Sequence, residues 1–182
     1  MTRFAFKETN LYEVSEREYR PPRSYEYRTI KRTGTVCVAP IIQLRVWNIE
    51  NYRSREAYLL VDTGADVSAL TESTAKSLEL DCQPRQGEPP VLLIGAGGNP
   101  IVGLLRWIII HLGGVPQKVP VVVPMPLEDL QEREEGSAPL LSSPQLDILG
   151  RAGIFENYLL CFDSRRLYAF RRRGSHNPGL KT

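Results

Sequence analysis

An apolar run, Ala57-Tyr58-Leu59-Leu60-Val61, ends abruptly in Asp62-Thr63-Gly64-Ala65-Asp66. A carboxylate delivered by such a run must be paired, hydrogen-bonded or protonated, because desolvation disfavours an uncompensated charge. That makes Asp62 a candidate for acid–base work. Gly64 permits close backbone approach, and the Thr63 hydroxyl can cross-link neighbouring backbone without adding charge. In an arbitrary loop an Asp-Thr-Gly tripeptide reads as a turn capped by its aspartate. The apolar strand leading into it favours chemistry over a simple turn.

Other chemistries fare worse. Gly95-Ala96-Gly97-Gly98-Asn99-Pro100 follows a β-rich stretch, but a dinucleotide-binding fingerprint needs glycine where Pro100 stands, and residues 101–112 read as a strand instead of a phosphate-binding helix. The two histidines, His111 in an apolar strand and His176 in a polar tail, have no recognisable nucleophile near them. Three cysteines, Cys37, Cys82 and Cys161, are an odd number without a C-x-x-C pair, which suggests neither a disulfide framework nor a zinc site. No metal and no cofactor are expected.

The elements that must position Asp62 belong to a chain of 182 residues, 42% hydrophobic and 24% charged, the balance of one soluble domain. The longest charge-free stretch, residues 89–105, is broken by glycines and prolines, so no membrane span is expected. The N-terminus reaches an acid before any apolar stretch develops, so a secretory signal is not expected and a cytoplasmic location is. Charge is uneven: +3 over residues 1–35, −7 over 36–164 and +6 over 165–182. Arg171-Arg172-Arg173 lacks interleaved aromatics, so nucleic acid is not an expected partner.

Residues 1–35, polar and centred on Pro21-Pro22, show neither helical nor sustained strand periodicity and read as an arm. From Thr35 the apolar residues Val36, Val38, Ile42, Leu44 and Val46 fall at even positions, the period of a half-buried strand. The run 57–61 reads as a strand buried on both faces that delivers its turn into the interior. Residues 71–79 predict a short helix with Thr71 as N-cap. Residues 90–94, 101–112 and 119–123 predict strands, the last two joined by a Gly113-Gly114 hairpin turn. Residues 124–145 read as an insertion rich in Pro, Glu and Ser. A short helix near 152–157, a strand at 158–162 and another at 167–170 complete the reading, followed by a basic tail at 174–182.

Three segments in order, Leu59-Leu60-Val61-Asp62-Thr63-Gly64-Ala65-Asp66, Leu93-Ile94-Gly95-Ala96-Gly97-Gly98 and Ile148-Leu149-Gly150-Arg151, closely resemble the retropepsin-like family of aspartic proteases, over residues 36–173. The resemblance implies an all-β, mainly antiparallel fold: the closed, acid-protease-like barrel of a single lobe, with one or two short helices. It implies that Asp62, Thr63 and Gly64 are catalytic, Thr63 tying two active-site loops together. It implies further that Ala65, Asp66, Ile94, Gly95, Ala96, Gly97 and Gly98 bind substrate, and that Asp66 and Arg151 form an ion pair beside the site and the dimer axis. The arm and the insertion have no counterpart in compact viral members. The ending Cys161-Phe162-Asp163-Ser164-Arg165-Arg166-Leu167-Tyr168 looks more like cellular and prokaryotic relatives.

That chemistry needs two carboxylates sharing one proton. The aspartates at 81, 129, 147 and 163 begin no second Asp-Thr/Ser-Gly, so one chain supplies one carboxylate and a homodimer is implied. An extended peptide would bind by strand addition, its side chains in apolar pockets near Val91, Leu93, Ile94, Ile101 and Val102. The competing reading is a dimeric binding or assembly module of the same fold with little or no proteolysis, since fold does not establish activity.

Overall fold

The computed structural model describes residues 2–5, 11–14, 18–32, 35–94, 100–125 and 146–174. In chain order they form β1 (Thr2–Ala5), β2 (Leu11–Val14), β3 (Arg23–Glu26), β4 (Arg28–Arg32), β5 (Thr35–Ala39), β6 (Ile41–Asn48), β7 (Ser54–Val61), β8 (Ser68–Ala69), helix α1 (Glu72–Ser77), β9 (Val91–Ile94), β10 (Pro100–Leu112), β11 (Val115–Pro124), β12 (Asp147–Leu149), β13 (Tyr158–Phe162) and β14 (Arg166–Arg171).

Six strands close a barrel. Their hydrogen-bonded order is β11, β8, β12, β7, β6, β10, and β10 pairs again with β11. Pairing is mainly antiparallel, with β12 parallel to β7 and β11 parallel to β8. The interior is filled by alternate side chains: Ile42, Leu44 and Val46 of β6, Leu104, Ile108 and Ile110 of β10, and Val119, Val121 and Val123 of β11 are all buried. The fold is thus all-β with a closed barrel, and of the one or two short helices expected, one forms among the described residues.

Local chemistry explains where the elements begin and end. The alternation from Val36 to Val46 is split into β5 and β6 at Pro40, which has no N–H to give a ladder; its carbonyl accepts from Val61 N at 2.8 Å instead. Thr71 caps α1, its hydroxyl accepting from Thr74 N at 3.3 Å, with Glu72 in the first turn and Lys76 in the last. Gly113 and Gly114, with φ of +63° and +78°, make the two-residue turn between β10 and β11.

Three expectations are revised. The run 57–61 is not buried on both faces: Ala57, Leu59 and Val61 point inward, while Tyr58 is 40% exposed beneath the Arg28 guanidinium, 3.7 Å from its ring centroid. An antiparallel barrel covers only one face of such a strand. Residues 152–157 form consecutive turns and no helix, because Gly153, inside the turn that Ile154 N and Phe155 N close on Arg151 O, adopts φ +77° and breaks the right-handed path. Within residues 1–35, β3 pairs with β14 from Arg23↔Ala169 to Arg166↔Glu26, and the Tyr25 hydroxyl accepts from Gly113 N at 2.7 Å.

Candidate active site

Strand β7 ends at Val61, and its direction carries Asp62 out of the barrel onto the loop of residues 62–67. Asp62 N donates to Leu149 O at 3.1 Å, and Gly64 N donates to Asp62 Oδ1 at 2.8 Å. The aspartate therefore accepts from its own loop. A Cβ on Gly64 would stand 3.2 Å from that same oxygen, tighter than side chains usually pack, so the glycine keeps the carboxylate accessible.

The loop is held mainly by backbone. Arg151 N donates to Ala65 O and Ala152 N to Asp66 O, each at 2.9 Å, while Gly150 N donates to Ser68 Oγ at 3.1 Å. Gly150 itself is obligatory, since a Cβ there would lie 2.5 Å from Val67 C and 2.6 Å from Val67 O. Asp66 Oδ1 accepts from Arg151 Nη2, so the expected ion pair forms, with side chains 80% and 50% exposed.

The turn is not delivered into the interior. Thr63 and Gly64 are exposed, and the Thr63 hydroxyl has no hydrogen-bond partner among the described residues. Asp62 and Thr63 border an open cleft of about 420 Å³ lined also by Pro40, Leu60, Val61 and Phe162. Among the described residues, none covers the end of β7. Ala65 is half-buried. Of the expected flap, Ile94 is placed by its backbone, paired with Pro100 across β9 and β10, whereas Gly95, Ala96, Gly97 and Gly98 lie outside the described residues.

Other candidates do not join this cluster. His111 stacks on Trp47 with ring centroids 4.2 Å apart, on the outer side of β10, and burial followed by the nearby Arg45 charge pushes its pKa down. Cys82 and Cys161 are free thiols whose pKa burial raises; Arg106 partly offsets this at Cys82. Among the described residues no group of three or more His, Cys, Asp or Glu is placed to hold a metal, and no helix is long and apolar enough to cross a membrane. Two contributors went unread in the sequence: Ser68, and Asp147, whose buried carboxylate binds the start of α1. The available signal was an acid set directly before the apolar pair Ile148-Leu149.

A closed barrel bearing Asp-Thr-Gly on an exposed loop braced by an Ile-Leu-Gly-Arg strand end defines the class of molecule. The aspartyl protease family model matches residues 49–143, more than half of the chain, and the chain belongs to that family. No curated protein matches the sequence. Among solved structures, the chain is similar to a retropepsin-like aspartic protease from Rickettsia conorii at 15% identity and a TM-score of 0.49, covering 85% of this chain and 96% of that one.

Proposed function

We propose that this protein is an aspartic endopeptidase that works as a homodimer, two copies of Asp62 meeting at the two-fold axis. The observation that carries the reading is the placement of the single Asp-Thr-Gly: at the end of a barrel strand, with Asp62 half-buried and Thr63 and Gly64 exposed, beside an open apolar cleft, with one carboxylate where the chemistry needs two. One ionised Asp62 takes a proton from water as the water oxygen adds to the peptide carbonyl carbon. The protonated Asp62 of the second copy gives its proton to the carbonyl oxygen. The newly protonated Asp62 then gives its proton to the nitrogen, the C–N bond breaks as the carbonyl re-forms, and the hydroxyl proton released from the intermediate passes to the other carboxylate, so the dyad again shares one proton.

In this reading Thr63 bonds across the axis to its counterpart loop, Gly64 lets the substrate backbone approach, Ala65 and Asp66 bind it from below, and Ile94, Gly95, Ala96, Gly97 and Gly98 cover it. The apolar walls at Leu60 and Phe162 support apolar side chains or the second copy as occupants. A cytoplasmic location fits the free thiols of Cys82 and Cys161.

The test is digestion of a peptide library by wild type, by Asp62→Asn and by mixed dimers. Asp62→Asn keeps the fold by circular dichroism and loses cleavage, because the amide cannot act as base. With wild-type chains at fraction f of the total, activity follows f squared. A linear dependence, in chains shown to mix, contradicts the shared site, and full activity of Asp62→Asn contradicts the protease assignment.

A further inference from the structure

Strand β12 is three residues long, yet the whole candidate loop hangs from its end. Leu149 O receives Asp62 N, and the next three residues, 150–152, donate to Ser68 Oγ, Ala65 O and Asp66 O. So short a strand has little of its own to set its register, and a shift along β7 would carry Leu149 away from Asp62. Its pairing places Asp147 opposite Leu59 and Leu149 opposite Val61. Something must pin it.

The start of β12 carries that pin. Asp147 is buried, and its carboxylate is divided between two donors: Oδ1 accepts from Thr71 N at 2.7 Å and Oδ2 from the Thr74 hydroxyl at 2.7 Å. The Thr71 hydroxyl donates in turn to Thr74 Oγ1 at 3.1 Å and accepts from Thr74 N at 3.3 Å. A carboxylate at this point completes the cap of α1 and meets the positive end of its backbone dipoles. The helix is itself seated in the core through Ala75 and Leu78. The network therefore locks β12 lengthwise against a fixed element.

We infer that Asp147 is a positioning residue for Asp62: it holds β12 in the register that places the Leu149 carbonyl under the Asp62 amide and Arg151 beside Asp66. The functional part rests on the protease reading, but the geometric part does not. Amide hydrogen exchange and peptide turnover on the full chain separate the two. In Asp147→Ala, exchange at the Asp62, Arg151 and Ala152 amides should quicken by about tenfold or more, while Ile108 and Ile110 keep wild-type protection. Turnover should fall about tenfold in kcat with KM within about twofold, because the loss is of geometry at the reacting centre and not of substrate contacts. Asp147→Asn, which keeps the acceptor for Thr71 N, should restore both to within about threefold. If Asp147→Ala does not fold, Thr74→Val removes one of the two hydrogen bonds and should show the same local pattern at about threefold. Uniform acceleration that includes Ile108 and Ile110, or an unchanged Asp62 amide, overturns the inference. A wild-type protein that cleaves nothing while its variants show the local pattern refutes proteolysis and leaves the positioning role standing.

Discussion

Of the several arginine–carboxylate pairs among the described residues, Arg106–Glu88 and Arg151–Asp66 differ in almost everything but their atoms. Arg106 stands in the core-facing series of β10 between Leu104 and Ile108, its side chain 6% exposed. Its Nε donates to Asp81 O at 2.7 Å, Nη1 to Leu105 O at 2.9 Å, and Nη2 to Gln83 O at 2.9 Å and Glu88 Oε2 at 3.2 Å, with a further Nη1 contact to Glu88 Oε1. Among the described residues the Arg151 side chain pairs with Asp66 alone, and both partners face solvent. A buried guanidinium must have its donors matched or it would not be tolerated. An exposed one is hydrated, and its pair contributes little within a single chain. The difference separates a clamp that organises residues 81–88, leading into β9, from a pair whose worth depends on being covered.

Removing the clamp gives the largest effect. Arg106→Met should lower the melting temperature by about 10 °C, since the Glu88 carboxylate and the carbonyls of Asp81 and Gln83 lose their donors together. A change of under about 2 °C in calorimetry would erase the contrast. Arg151→Ala should leave the monomer's melting temperature within about 2 °C of wild type and, under the proposed dimeric protease, should weaken dimerisation and turnover together. Sedimentation at several concentrations reads this, and an unchanged dimer with full activity returns the pair to ordinary surface chemistry. The smallest effect is in pH. Arg106, followed by the Arg85 backbone N–H, holds the Glu88 carboxyl below its ordinary value of 4.5. Its contribution is therefore complete above that value and is lost as pH falls through the lowered one. Acid unfolding of Glu88→Gln should lack that last increment of pH dependence, and a superimposable titration would show that the pair is not felt. The Asp66–Arg151 pair, by contrast, should weaken chiefly with salt.

Features made by neighbours in the chain were legible beforehand. The apolar run into Asp62-Thr63-Gly64, the Thr71 cap with its acid and base at opposite ends of α1, and the Gly113-Gly114 turn each depend on residues within a few positions of one another. The strand β3 was hidden because its four residues, Arg23, Ser24, Tyr25 and Glu26, include a single aromatic among polar and charged side chains and so carry no apolar period. Arg106 was hidden because its partners lie 18 to 25 residues back, in a segment without periodicity.

The sequence by itself determined four of the six barrel strands, β6, β7, β10 and β11, with the helix and the loop carrying Asp62, because side-chain period, turn glycines and a capping threonine act over short distances, whereas β8 and β12 are too short to show a period. Only the tertiary structure decided that Gly150 lies against the Val67 backbone, that Asp147 binds the start of a helix more than 70 residues earlier, and that the Asp62 loop faces outward. Those depend on which strands become neighbours when the barrel closes. The packing of the whole chain sets that choice, since a buried donor or acceptor takes whatever partner the closed barrel brings within reach.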